Sequence, residues 1–201
     1  MSNVDFGNKP GPDGQPDPDN KTTWTGNTGD KEYDGKQVDI VGKDKDGNPI
    51  TDLVYTKKDT GESSEIPPKD AGTYEVKPKG DDNHDYTNTA TITIRKKTLQ
   101  VTPTVNKNPL LPSDKPGFGY TVTGFVGGDN ELDISNKALK YFVDGAGVPS
   151  SGQTYAIGSH DLTLDGLSAK NYDFNYGITS FGVGKGTTTV DFGNKPGTDG
   201  K

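Results

Sequence analysis

Side chains that could do chemistry are few in this 201-residue chain, and their spacing matches no familiar reaction centre. The two histidines, His84 and His160, each lie in a turn that also contains aspartate. A nucleophilic triad would need a serine motif beside such a pair, and a zinc site would need further ligands at fixed spacing. Both histidines are therefore predicted to be exposed turn residues.

Two short stretches look like ligand-binding loops but lack the required spacing. Gly182 to Thr187 is rich in glycine, yet it does not have the four residues that separate the two glycines of a phosphate loop. Asp17 to Asn20 lacks the spaced carboxylates and the closing glutamate of a calcium loop. The 29 acidic residues are scattered, so no glycosidase-like pair can be chosen from them. We expect that the chain is not an enzyme and uses no cofactor or metal.

Two kinds of surface chemistry stay open. Trp24, the only tryptophan, follows a segment rich in Pro, Gly and Asp, where it can pack on the first folded module or face a ligand. It is the candidate ligand-binding residue. An isopeptide crosslink between Lys and Asn or Asp would suit a stalk without cysteine, but the sequence singles out no lysine for it.

Composition narrows the class of protein. Only 27% of the residues are hydrophobic, the net charge is −7, and there is no cysteine for a disulfide or a thiolate metal site. The acidic balance, without a basic stripe, argues against nucleic acid as a partner. No apolar run approaches the roughly 20 residues of a membrane-spanning helix. We expect the isolated chain to be a monomer.

The elements that position these side chains are predicted to be strands. Apolar residues alternate with polar ones, as in Val38 to Ile40 and Tyr74 to Val76, and the helical period of 3.6 residues is missing. The predicted fold class is all-β, with two tandem antiparallel immunoglobulin-like β-sandwich domains. A β-grasp module with one helix is the alternative, because each predicted core is small.

The segment Asp70 to Val76 carries the most informative local motif. The spacing of Asp70, Gly72 and Tyr74 is similar to that of a tyrosine corner, in which the tyrosine hydroxyl bonds back to the backbone. An ordinary glycine-containing hairpin is the other interpretation. Because Thr73 to Val76 aligns with Thr154 to Ile157, Tyr155 is predicted to be the buried equivalent of Tyr74 in a second domain.

An eight-residue sequence occurs at both ends of the chain. Val4 to Gly11 recurs as Val190 to Gly197, 186 positions later, which indicates one repeat of a longer array. We expect each copy to complete the preceding domain, so that Phe192 packs on the second domain and Phe6 is looser.

Domain boundaries follow from the same patterns. Ile94 has an even number and Leu99 an odd one, and a single strand cannot place both on one face, so a boundary is predicted between them. The predicted organisation is a linker rich in Pro, Gly and Asp at 1–29, β modules at 30–96 and 97–186, and the start of the next linker at 187–201.

Several motifs resemble the YDG and MBG-type repeat modules of bacterial surface adhesins, including the mucus-binding repeats of lactobacilli. They are Tyr33–Lys36, Ala71–Tyr74, Thr91–Ile94, Tyr120–Phe125 with Gly128–Asp129, and Gly166–Tyr172. The second module departs from the first by lacking the Tyr-Asp-Gly opening.

This resemblance implies a repeat displayed outside the cell, attached to the cell wall of Gram-positive bacteria. Its implied partners are host mucin glycans or other extracellular polymers, together with neighbouring repeats of the same chain. A passive spacer that projects a separate binding domain is the alternative function. The family has no shared catalytic or binding residues that could be assigned to positions here.

Overall fold

The computed structural model describes residues 3–15, 17–80, 86–188 and 190. Strands dominate, and one three-residue 3-10 helix lies at Glu131–Asp133. The strands of the first half are β1 (Asp5–Asn8), β2 (Thr23–Thr25), β3 (Thr28–Glu32), β4 (Ile40–Lys43), β5 (Pro49–Ile50), β6 (Leu53–Lys57), β7 (Ser63–Ser64), β8 (Gly72–Pro78) and β9 (Ala90–Arg95). Those of the second half are β10 (Lys97–Val105), β11 (Phe118–Thr123), β12 (Ile134–Val143), β13 (Ala146–Val148), β14 (Gly158–Ala169), β15 (Tyr172–Tyr176) and β16 (Thr179–Val183).

The all-β prediction is confirmed. The β-grasp alternative requires a helix packed across the sheet, and the described residues contain no helix longer than the one at Glu131–Asp133. That short helix is closed by a capping box, in which Asn130 accepts from the backbone of the turn and Asp133 reaches back to the Asn130 N–H.

The strands form two compact units. Unit 1 comprises residues 1–101, 122–139 and 166–176, and unit 2 comprises residues 102–121, 140–165 and 177–201. Strands β10, β11, β12 and β14 contribute residues to both units. The compact units thus divide the chain differently from the predicted modules at 30–96 and 97–186, whose boundaries stay a prediction.

Unit 1 has one core, which is covered by two complete sheets and by part of a third, β11-β10-β15. The larger sheet has the order β2-β3-β9-β8-β6-β7, and alternate residues of β8 and β9, such as Tyr74 and Ile92, are buried. The smaller sheet, β1-β4-β5, adds Val4, Phe6 and Ile40 to the same core. Two sheets that bury their inner faces against each other are the arrangement of a β-sandwich.

Antiparallel pairs predominate among the described strands, but parallel pairs also occur. Strand β3 pairs in parallel with β9, and β10 pairs in parallel with β15 over Lys97–Val101. The expectation of antiparallel sheets is therefore too narrow. Parallel neighbours need a long connection between them, and here each pair joins strands that are far apart in sequence.

The first copy of the repeated sequence is part of unit 1, which corrects the prediction that Phe6 is loose and that 1–29 is only a linker. Val4 and Phe6 are 2% and 4% exposed, and Phe6 pairs with Gly42 of β4. The core of unit 1 supplies the apolar surface that we expected from a preceding domain. In the second copy, the residues after Val190, including Phe192, lie outside the described residues.

The change from even to odd apolar positions coincides with a change of strand. Strand β9 ends at Arg95 and β10 begins at Lys97. Both Ile94 and Leu99 are buried in the core of unit 1. A new strand sets its own alternation, and so both residues can point inward.

Unit 2 is built around an aromatic cluster. Phe118 lies within about 6 Å, between ring centroids, of Tyr141, Tyr155 and Phe181. Strand β14 pairs with β16 over Gly158–Leu162, and a turn at Asp144-Gly145 joins β12 to β13. Asp144 has a φ of 51° and Gly145 one of 81°, which is the positive-φ geometry that favours Asp-Gly in two-residue hairpins.

Candidate functional site

Unit 1 contains a tyrosine corner. The Tyr74 hydroxyl donates a hydrogen bond to the carbonyl oxygen of Asp70 at 2.9 Å, and the Tyr74 side chain is buried. Gly72 has a φ of 154°, and a Cβ at Gly72 would meet Cε of Lys57 at 2.8 Å. Glycine is therefore required twice, for its backbone angle and for the close approach of the lysine stem. Burial, with a smaller effect from Asp70, raises the pKa of Tyr74.

A groove of about 550 Å³ lies beside this corner, and we call it the corner groove. It is lined by Gln37, Tyr55, Lys57, Glu62, Ser63, Ser64, Ile66, Pro67, Pro68, Lys69, Asp70, Tyr74 and Lys170. Three lysines thus face two carboxylates at its rim, and Ile66 is 68% exposed there. The groove combines cationic groups with an exposed apolar side chain.

The Asp70 carboxylate anchors one wall of the corner groove. It accepts hydrogen bonds from Lys170 Nζ at 2.6 Å and from Asn171 Nδ2 at 3.0 Å, and Asn171 Oδ1 accepts from the Ala71 N–H at 2.9 Å. Burial by itself raises the pKa of Asp70, but the hydrogen bonds from Lys170 and Asn171 outweigh it and lower that pKa. Lys170 and Asn171, which are adjacent in sequence, therefore stabilise the tyrosine corner through their bonds to Asp70 and Ala71.

The Tyr33-Asp34-Gly35 opening forms a second polar centre in unit 1. The carboxylate of Asp129 accepts hydrogen bonds from the Tyr33 hydroxyl at 2.7 Å and from the Tyr172 hydroxyl at 2.8 Å. Burial and Asp129 raise the pKa of Tyr33, and burial raises that of Tyr172 to about 12. Both tyrosines therefore remain neutral hydrogen-bond donors at ordinary pH.

The other two residues of this opening also have defined contacts. Asp34 Oδ1 accepts from the buried Lys31 Nζ at 2.8 Å and from the Lys36 N–H at 3.0 Å. Gly35 approaches Gly127 so closely that a Cβ on Gly35 would lie 2.8 Å from the Gly127 Cα. The Tyr-Asp-Gly sequence thus has a packing role in unit 1.

Trp24, the candidate ligand-binding residue, is half-buried on β2. Its Nε1–H donates to Asn8 Oδ1 at 2.7 Å, and a Cβ on Gly29 would lie 3.0 Å from its ring. Trp24 packs against the core of unit 1. The lining of the corner groove comes from other residues.

The structure does not place Tyr155 in the position predicted for it. Tyr155 precedes β14 and is only partly buried, and Ile157, predicted to match Val76, is 55% exposed. The Tyr155 ring packs on Phe181 at 5.3 Å, and its buried hydroxyl has no hydrogen-bond partner. The alignment at a spacing of 81 residues is therefore wrong.

A spacing of 86 residues gives the correct equivalences. Gly158 has a φ of 148°, close to that of Gly72, and His160 occupies the position of Tyr74. The Nε2 atom of His160 lies 2.9 Å from the carbonyl oxygen of Ala156. Ala156 is four residues before His160, just as Asp70 is four residues before Tyr74. The prediction that His160 is an exposed turn residue is wrong, because it lies on β14 with a side chain only 14% exposed. His84 lies outside the described residues.

A spacing of 86 residues is visible in the sequence itself, but the predicted equivalence of Tyr74 and Tyr155 uses a spacing of 81. The segments His84 to Tyr86 and Lys170 to Tyr172 are 86 positions apart, the same spacing as the two corners. In the sequence, Lys170 and Asn171 stand out only as part of the Gly166–Tyr172 motif. Their contact with Asp70 depends on residues 100 and 101 positions apart, which no local pattern reveals.

Within the described ranges, no group of three histidine or carboxylate side chains is placed to hold a metal ion. In the same part of the chain, no helix has the length and apolar character needed to cross a bilayer.

Comparisons with known proteins show a similarity for part of the chain. A solved structure of the fibronectin(III)-like modules of Clostridium thermocellum CbhA is 12% identical, covering 83% of this chain and 94% of that one, with a TM-score of 0.30. That score is too low to support an argument about the fold. A comparison with curated proteins gave no match. Residues 99–182 match the model of the MBG domain of YGX type, which confirms the predicted resemblance. This segment of the chain is therefore similar to MBG domains of the YGX type.

Proposed function

We propose that this chain is an adhesive repeat of an extracellular bacterial surface protein, and that the corner groove binds acidic glycans of host mucins or similar extracellular polymers. MBG domains occur in surface adhesins, which supports a role as a surface-protein repeat module. The observation that carries the proposal is the grouping of Lys57, Lys69 and Lys170 around one groove in an otherwise acidic chain.

The charges of the groove favour an anionic ligand. Lys170 is paired with Asp70 at 2.6 Å and Lys57 with Asp59 at 3.2 Å, whereas Lys69 is exposed at the rim. A lysine ammonium is a flexible point charge that suits carboxylate or sulfate groups. Exposed Ile66 can pack on the apolar face of a sugar ring beside them. Binding of a glycan in the corner groove requires no catalytic group. We infer that the chain is not an enzyme.

A binding assay on immobilised mucin tests the proposal. The double variant Lys57→Gln/Lys69→Gln should bind several-fold more weakly than the parent chain, and raising the salt concentration should weaken the parent's binding. Lys45→Gln is the matched control, because Lys45 is an exposed lysine of unit 1 that does not line the groove. Equal binding by all three proteins would contradict a role for the groove.

The second candidate function is a passive spacer. It is favoured by the polar contacts that join distant segments of unit 1, namely Asp129 with Tyr33 and Tyr172, and Asp70 with Lys170. Such contacts stiffen a module without requiring a ligand. The absence of any binding by the parent chain to mucin, matrix proteins and acidic polysaccharides would favour the spacer over the adhesive repeat.

A further inference from the structure

The imidazole of His160 has a hydrogen-bond acceptor at each ring nitrogen. Nδ1 lies 2.7 Å from Asp144 Oδ2, and Nε2 lies 2.9 Å from the Ala156 carbonyl oxygen. A carbonyl oxygen can only accept, and an ionised carboxylate can only accept. A neutral imidazole has one N–H, so it can satisfy one of these two acceptors, whereas the imidazolium satisfies both.

We propose that His160 closes the corner of unit 2 only when its ring carries two protons, which makes this corner a pH-sensitive element of the repeat. With both N–H groups present, the ring ties the segment before β14 to the β12–β13 turn. Loss of one proton breaks either the bond to Ala156 or the bond to Asp144. The proposal is independent of whether the corner groove of unit 1 binds a ligand.

The groups around the ring support a doubly protonated state. Asp144 faces it from the β12–β13 turn, and Asp161 follows it on β14, where its carboxylate accepts from Ser180 Oγ at 2.6 Å. Strand β16 contributes Phe181, whose ring stacks on the imidazole at 5.4 Å, and the preceding loop contributes the neutral phenol of Tyr155 at 5.7 Å. Among these groups, the carboxylate that contacts the ring is thus that of Asp144, whereas the Asp161 carboxylate bonds to Ser180.

The pKa directions agree with this geometry. The hydrogen bond to the Ala156 carbonyl, followed by that to Asp144, raises the pKa of His160 above 6.5. The hydrogen bond from the Asp161 N–H, followed by that from His160, lowers the pKa of Asp144 below 3.8. A raised histidine pKa contributes stability that is complete below 6.5 and is lost as the pH rises through the folded-state value. A lowered aspartate pKa contributes stability that is complete above 3.8. The stabilisation of the closed corner by both groups is therefore complete between pH 3.8 and pH 6.5.

An NMR titration of the full chain tests the proposal. In the His84→Gln variant, His160 is the single histidine, and its ring nitrogens are followed from about pH 5 to about pH 9. We expect a midpoint above 6.5, with both nitrogens protonated below it. The amides of Ile157 and Asp161 should shift with the same midpoint, and the hydrogen-exchange protection of the Asp161 amide should fall several-fold above it.

The variant His160→Tyr is the matched comparison, because it places the residue of the unit 1 corner in unit 2. Its Ile157 and Asp161 amides should show no transition in this pH range, since a tyrosine hydroxyl stays protonated there. A His160 midpoint at or below 6.5, or amides that do not follow the ring, would overturn the proposal. Because those readings come from a chain that retains His160, they decide the question even if His160→Tyr does not fold.

Discussion

Unit 1 and unit 2 make the same backbone corner with different side chains. Each corner has a glycine at strongly positive φ, 154° at Gly72 and 148° at Gly158, and a ring two residues later. That ring bonds to the carbonyl oxygen four residues before it, at 2.9 Å in both units. The ring itself differs, because it is tyrosine at 74 and histidine at 160.

The difference shows how one backbone geometry can have two responses to pH. A tyrosine closes its corner with one neutral hydroxyl, which is stable across the range in which histidine titrates. A histidine that faces two acceptors closes its corner only as a cation. The corners also differ in the surroundings of the residue before the glycine. In unit 1 the Ala71 N–H bonds to the Asn171 side chain, whereas Ile157 of unit 2 is 55% exposed.

Removing the ring of Tyr74 should have the largest effect. Tyr74→Ala should lower the free energy of unfolding by about 3–5 kcal/mol, as expected for truncation of a buried aromatic side chain. Tyr155→Ala should cost less, because Tyr155 is only partly buried and lies outside the corner. Chemical denaturation of each variant, with hydrogen exchange to locate the loss, measures both effects. A larger loss for Tyr155→Ala would restore the alignment that the structure contradicts.

Removing the Asn171 side chain from the corner of unit 1 should have an intermediate effect. Asn171→Ala deletes the acceptor of the Ala71 N–H and one donor to Asp70, which should cost about 1–3 kcal/mol. Faster hydrogen exchange of the Ala71 amide is the direct measurement. Asn175→Ala is the control, because Asn175 is exposed and bonds only to the Gln100 side chain. Unchanged hydrogen exchange of the Ala71 amide would show that the tyrosine corner does not depend on Asn171.

The corner glycines form a matched pair for a smaller effect. Gly72→Ala and Gly158→Ala both place a side chain at a strained φ, which costs on the order of 1–3 kcal/mol. A Cβ on Gly72 also meets Lys57 at 2.8 Å, whereas Gly158 has nothing within 4 Å. We expect the unfolding free energy to fall further for Gly72→Ala. Equal losses would mean that the lysine stem moves aside without cost.

The smallest expected effect is the pH response of the tyrosine corner. The pKa of Tyr74 is raised above 10.0, so its contribution is complete below 10.0 and is lost as the pH rises through the folded-state value. Hydrogen-exchange protection of the Tyr74 and Val76 amides should therefore stay constant while that of unit 2 changes. A transition in these amides near the midpoint of His160 would remove the distinction between the corners.

Local patterns predicted much of the fold because they depend on neighbouring residues. Alternation along β8 and β9, and the spacing of Asp70, Gly72 and Tyr74, follow from the two-residue period of a strand and the backbone needs of one turn. The same reasoning failed at Tyr155, since matching Thr-Tyr to Thr-Tyr ignored the glycine that the corner requires. Aligning Gly72 with Gly158 would have found His160.

The sequence by itself determined the strand character and the MBG resemblance, because each is encoded within a few adjacent residues. It offered the tyrosine corner as one of two interpretations of Asp70 to Val76. Only the tertiary structure decided that Phe6 is buried in unit 1, that Asp129 binds Tyr33 and Tyr172, and that His160 faces two acceptors. These contacts join residues far apart in the chain, and their partners depend on strand pairing and sheet packing. A side chain's chemistry is local, but the number of acceptors around it is set by the fold.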